Sequence, residues 1–265
     1  MQTLARDFRE MFTEQVEFGG LLYQMAARDL VLRYKQTAMG VAWALMMPLL
    51  NTAIFSLVFM RVAPIATRVP YPLFAFCGLL VWNYTASALR FAVASLTGNT
   101  SLVTKVYFPR EIFPFAAVAV SFVDFAVAST VLVAMMLWFH VRPTGALLYL
   151  PLIVVVQTAF TAAFALLLAM ANLFYRDVKY LFDVFLTVWM FSSAIVYPLD
   201  GVHGWLGVLL RVNPMTTIVD AYRNVLLYGV PPAVPLWATA AAVAILLPLS
   251  WFAFHRAEFA FAEHI

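Results

Sequence analysis

The 265-residue chain has one cysteine, Cys77, four histidines and very little charge. A single cysteine excludes a disulfide framework and a cysteine-based metal site. Charged residues make up 11% of the chain, against about 25% in a typical soluble domain. With 65% hydrophobic residues and a mean hydropathy of +0.91, that deficit places most of the chain in lipid. The net charge of +3 is small and its basic residues fall in short loops, so no nucleic-acid footprint is present. There is no GxxxxGK[ST] run, and so no Walker-type nucleotide site. There is no DxD pair for a metal-bound nucleotide sugar. His140, His203, His255 and His264 are scattered and make no ligand spacing, and no Ser/His/Asp or paired-carboxylate pattern is visible. Nothing points to catalysis, which leaves a conduit or a scaffold. The N-terminal MQTLARDFREMFTEQ is too acidic and too interrupted for a signal peptide, so insertion is expected to use internal spans.

What is present is a series of long apolar runs. Six are long enough to cross a bilayer whose core needs about 20 helical residues: Met39–Ala63, Tyr71–Ser95, Ile112–Phe139, Leu147–Asn172, Tyr180–Pro198 and Val234–His255. No globular domain flanks them, which predicts a single all-α membrane domain over 39–265. Ahead of it, Leu4, Phe8, Met11 and Phe12 recur at helical spacing among charges, the pattern of an amphipathic surface helix or of a solvated helix packed on protein. Gly19-Gly20 ends that helix, and a second, from Leu21 to Gln36, closes on Arg33, Tyr34 and Lys35. Residues 1–38 thus read as an interface region. With the N-terminus inside, the inner segments hold ten Lys and Arg: Arg6, Arg9, Arg28, Arg33, Lys35, Lys105, Arg110, Arg176, Lys179 and Arg256. The outer ones hold five: Arg61, Arg68, Arg142, Arg211 and Arg223. The excess predicts both termini on the cytoplasmic side.

Two segments break the apolar pattern. Asn99 to Pro114, NTSLVTKVYFPREIFP, is a polar island whose prolines stop a straight helix. Leu199 to Pro232 holds two apolar pieces, Val202–Leu210 and Met215–Tyr228, split by Arg211, Asn213 and Pro214. Neither reaches across a bilayer at helical rise, so they read as two short re-entrant helices or as interfacial helices of a surface loop. Charges inside spans are costly. Asp124 lies near the middle of the third span, facing a polar lumen or hydrogen-bonded within the bundle. Arg90 lies toward the inner end of the second, about 10 Å away in depth, and can snorkel inward rather than pair with it.

RDLVLRYKQTAMGVAWALMMPLL (28–50) resembles the membrane subunits of ATP-binding-cassette polysaccharide exporters of the ABC-2 type. The resemblance continues at GLLVWNYTASAL (78–89), GNTSLVTKVYFPREIFP (98–114), NLFYRDVKYL (172–181) and NPMTTIVDAYRNVLLYG (213–229), so it covers most of the chain. The RYKQT…G…WA form is closest to the O-antigen (lipopolysaccharide) branch. The family implies six spans, a homodimer, and two copies of a separate cytosolic ATPase that holds the ATP and magnesium, with no cofactor in this chain. It implies a bacterial inner-membrane location and a polysaccharide carried on undecaprenyl diphosphate. By resemblance, 97–111 is the loop that couples to the ATPase, through Asn99, Lys105, Tyr107, Phe108, Pro109, Arg110 and Glu111, with Arg176 and Asp177 in the second cytosolic loop. The short helices of 199–232 resemble a re-entrant gate. Trp43, Trp82, Tyr84, Asp124, Trp189 and Tyr197 are the expected substrate path, where ring faces stack on sugars. Arg33, Tyr34 and Lys35 resemble the interface region beside the loop, and the basic pair is expected either to attract the lipid diphosphate or to anchor the chain on acidic lipid. The alternatives are a capsule or teichoic-acid permease, or a small-molecule or lipid exporter of the same architecture. A membrane-embedded sugar-lipid transferase would need a carboxylate–metal site, for which the sequence has no pattern, and a pure scaffold would have no ATPase partner.

Overall fold

The computed structural model describes residues 13, 17–35, 37, 39–40, 42–105, 108–199 and 202–264. The expected helix over 4–12, Tyr107 and the side chain of Lys105 lie outside the described residues. Every regular element within them is helical.

Helix α1 (Gly19–Tyr34) begins two residues before Leu21, so the two glycines form its first turn rather than a break ahead of it. Its start is held by the Phe18 carbonyl, which accepts from Leu21 and Leu22 N–H at 2.9 and 3.0 Å. Met25 is its buried anchor and packs into an inner core with Leu96, Val103, Phe108, Ile112 and Phe113. Helix α2 (Ala42–Leu57) runs on through a wider turn at Val58–Val62. Pro48 within it has no N–H to give the Ala44 carbonyl, while the Thr52 hydroxyl donates to the Pro48 carbonyl at 2.8 Å.

Helix α3 (Tyr71–Ser95) is the axis of the bundle. It is buried over most of its length, and α2, α5 (Ile112–Trp138), α6 (Leu150–Phe174), α7 (Val178–Phe191) and α9 (Pro214–Arg223) pack around it. Between α3 and α5 the polar island folds into one 3-10 turn (Thr97–Asn99) and α4 (Thr100–Lys105). Helix α8 (Gly204–Val212) precedes α9, and α10 (Val234–His264) packs along α6.

Among the described residues five helices are long and apolar enough to cross a membrane: Ala42–Val62, Tyr71–Ser95, Ile112–Trp138, Gly145–Phe174 and Val234–Glu258. Each agrees within a few residues with a run read from the sequence. The remaining expected span, Tyr180–Pro198, is not one continuous helix. Helix α7 ends at Phe191 after 14 residues, about 21 Å at helical rise. The Ser192 and Ser193 hydroxyls turn back onto the carbonyls of Val188 and Trp189, and Ala194 takes a left-handed φ of 48°. Helices α8 and α9, at 9 and 10 residues, are likewise too short to cross.

Candidate functional site

Three polar features stand out against the apolar bundle. The first is the polar island and its surroundings. Asn99 donates to the Ser95 carbonyl at 2.9 Å and accepts from Arg28 of α1 at 3.0 Å, so it ties α1 to the island. Phe108 and Pro109 are buried, with the Phe108 ring 5.5 Å from that of Phe113. The Arg110 guanidinium donates to the carbonyls of Val103 (3.2 Å) and Glu258 (2.8 Å). Glu111 is 2% exposed; its Oε1 accepts from Trp251 Nε1 at 3.3 Å and lies 3.0 Å from His255 Nδ1. These residues therefore anchor the island to α1, α5 and α10. Among the described residues its exposed positions are Gly98, Thr100 and Ser101.

Arg176 and Asp177 lie exposed in the turn between α6 and α7, where the Asp177 carbonyl accepts the first N–H groups of α7. Buried Asn172 joins that turn to the island: its amide donates to Val93 O (2.9 Å) and Thr97 Oγ1 (3.3 Å), and its Oδ1 accepts from Lys179 N–H (3.3 Å). One side chain thus binds the two loops into a single surface.

The second feature is a cleft of about 490 Å³ between α1, α2, α3 and α5, lined by Arg33, Tyr34, Trp43, Asn83, Tyr84, Arg90 and Asp124 among others. Asp124 is its charged centre. Arg33 Nη1 pairs with Asp124 Oδ2, and the Tyr34 hydroxyl donates to Oδ1 at 2.5 Å. The Arg33 guanidinium also sits 3.9 Å from the Phe91 ring centroid, where an aromatic face favours a cation. Burial, then the hydrogen bond to Asp124, pushes the Tyr34 phenol above its ordinary value. Arg33 and Tyr34 are thus committed to Asp124, while Lys35 is exposed just past the end of α1. Arg90 pairs with Asp183 of α7 at 2.9 Å, a partner the sequence reading did not give it. Tyr84 is nearly buried, its hydroxyl 3.2 Å from Thr158.

The third feature is the end of α7. Arg223, read from sequence as a charge of an outer segment, is 2% exposed and lies buried within the bundle. Its guanidinium donates to the carbonyls of Ala194 (3.0 Å), Ile195 and Phe74 (3.4 Å), and lies 3.6 Å from the Phe74 ring centroid. The unwound residues after α7 thereby find donors for carbonyls that no helix satisfies. Asn213 works from the other side: its amide donates to Ser192 O (2.8 Å) and Ser193 Oγ (2.9 Å), and its Oδ1 accepts from Met215 N–H (3.0 Å) and Trp189 Nε1 (3.3 Å). Gly78 of α3 passes this point so closely that a Cβ there would sit 2.5 Å from the Ile195 carbonyl oxygen. Trp189 packs edge-on against Trp82 at 5.6 Å and beside Phe160. This aromatic cluster does not line the cleft that holds Trp43, Tyr84 and Asp124. Tyr197 folds back, its hydroxyl donating to the Phe191 carbonyl.

Membrane-length helices around a polar cleft, with two inter-helix turns stitched into one surface, are the layout of a multi-pass membrane protein. The chain belongs to the ABC-2 type transporter family, whose model matches residues 20–227. It is 28% identical over 256 residues to the O-antigen export system permease protein RfbA of Myxococcus xanthus, covering 95% of this chain and 98% of that one. It is 26% identical over 212 residues to a Klebsiella pneumoniae protein of the same name, covering 79% of this chain and 81% of the relative.

Proposed function

We propose that this chain is the membrane subunit of an ATP-driven exporter that carries lipid-linked O-antigen across the bacterial inner membrane. The observation that carries this reading is the nearly end-to-end match to permeases named for O-antigen export. The substrate is a polysaccharide on undecaprenyl diphosphate, and the energy comes from a separate ATPase in two copies. That ATPase docks on the surface made by Gly98, Thr100, Ser101, Arg176 and Asp177, all exposed. Arg110 and Glu111, turned inward, carry its motion into α5 and α10.

Two copies of the chain enclose the conduit. The supporting observation is a pair of exposed apolar faces: Trp43, Met47, Leu50, Ile54 and Leu57 on α2, and Leu181, Val184, Phe185 and Val188 on α7. Each set recurs at three- and four-residue spacing, one helix face. Helices α8 and α9 enter from the outer face as a gate, and α7 completes its crossing through the unwound residues that Arg223 and Asn213 hold. Both termini are cytoplasmic, and Lys35, exposed just past the end of α1, is a cation available to the lipid diphosphate. Deleting the gene and scoring surface polysaccharide by immunoblot tests the reading. Loss of surface O-antigen, restored by the intact gene, is expected. Unchanged surface O-antigen would overturn it.

A further inference from the structure

Glu111, the residue that caps the start of α5, meets the C-terminal part of α10 at a cluster that the chain order hides, since 144 residues separate it from His255. One carboxylate oxygen each from Glu111 and Glu258, and a ring nitrogen of His255, lie within 4.8 Å of one another. His255 Nδ1 is 3.0 Å from Glu111 Oε1 and 3.7 Å from Glu258 Oε2. Glu111 Oε2 is buried and makes no hydrogen bond. A buried carboxylate oxygen without a partner is costly, and a second carboxylate beside it adds repulsion. Arg110, 3.5 Å from Glu258 Oε1 and bound to two carbonyls, is directed at Glu258 and leaves Glu111 Oε2 uncompensated. A proton on His255 would serve Glu111 Oε1, which Trp251 already serves, and would leave Oε2 bare.

We propose that Glu111, His255 and Glu258 form a binding site for a divalent transition metal, zinc by ligand type. Zinc takes imidazole nitrogen and carboxylate oxygen at about 2.0–2.2 Å in tetrahedral geometry, which sets its ligand atoms about 3.3 Å apart. His255 Nδ1 stands 3.0 Å from Glu111 Oε1 and 3.7 Å from Glu258 Oε2, on either side of that value, and the three donors all fall within 4.8 Å. His255 and Glu258 share one face of α10 at i, i+3, and Glu111 approaches from α5, a donor layout that helical bundles use for metals. Both carboxylates are already steadied: Trp251 Nε1 donates to Glu111 Oε1, the oxygen beside His255 Nδ1, and Arg110 N–H donates to Glu258 Oε1 at 3.2 Å. Such outer hydrogen bonds orient metal ligands. The metal would pin the end of the polar island to α10, making a mechanical staple rather than a reaction centre. The cleft around Asp124 does not include it.

The test uses the full chain without a polyhistidine tag, in lipid nanodiscs, stripped with chelator and re-equilibrated with zinc. Elemental analysis should find about one zinc per chain. Cobalt in its place should give visible d–d absorption of tetrahedral type, and zinc should raise the thermal midpoint. His255→Gln and Glu111→Gln should each lower zinc occupancy at least about tenfold. They should also remove the zinc-dependent rise in midpoint, which separates loss of the site from loss of folding. Wild-type protein that takes up no zinc would overturn the proposal. So would equal occupancy in both variants, or a histidine resonance showing His255 protonated with zinc present.

Discussion

Replacing Arg223 with methionine removes the donors that hold the unwound residues after α7. Three carbonyls are involved: Ala194 at 3.0 Å, Ile195, and Phe74 at a longer 3.4 Å. A buried acceptor left without a donor costs about 1–3 kcal/mol, so the two closer bonds set a scale of about 2–6 kcal/mol. Methionine fills much of the same volume and removes the cost of burying a guanidinium, which reduces the net loss to on the order of 2–4 kcal/mol. At about 2–4 °C per kcal/mol, the thermal midpoint should fall by about 5–15 °C. The assay is thermal unfolding in nanodiscs, followed by a labelling reporter. Cys77, the one cysteine, is fully buried, so Ser193→Cys can be read with maleimide against little background. Label should enter Ser193→Cys faster once Arg223 is methionine. A midpoint within about 1 °C of wild type, with unchanged labelling, would refute the role given to Arg223.

Three further outcomes follow from particular contacts. Gly78→Ala places a methyl 2.5 Å from the Ile195 carbonyl oxygen and 2.6 Å from Arg223; since backbone must yield, destabilisation of about 1–3 kcal/mol is expected in a thermal melt. Asp124→Asn leaves Arg33 and Tyr34 without their carboxylate; because the pair is only partly buried, a loss of about 1–2 kcal/mol is expected, with faster hydrogen exchange at the end of α1. Ser101→Trp enlarges an exposed position of the island without touching its inward anchors. It should leave the permease melt unchanged within about 0.5 kcal/mol while abolishing co-purification of the ATPase partner.

Five spans were legible because each is a long apolar run, and lipid leaves the backbone no alternative to a helix. Tyr180–Pro198 read as one continuous helix because Ser192 and Ser193 are mild interruptions along an apolar line. What ends the helix comes from elsewhere: Asn213 and Arg223, about 20 and 30 residues on. Arg223 therefore read as an ordinary loop charge. Asp124 was visible as an anomaly, yet its partner Arg33 is 91 residues away and no local rule pairs them. Glu111 and Arg110 stood out as the charged end of a polar island, but direction is not written in a linear pattern. The structure turns both inward, and leaves Gly98, Thr100 and Ser101 facing out.

The account rests on energy arriving from a partner that touches the polar island. The most direct measurement is uptake of lipid-linked polysaccharide across proteoliposomes containing this chain, with and without the cognate ATPase and ATP. Translocation should appear only when the partner and ATP are both present, and should vanish with Ser101→Trp. Full-rate translocation by this chain alone would contradict the account.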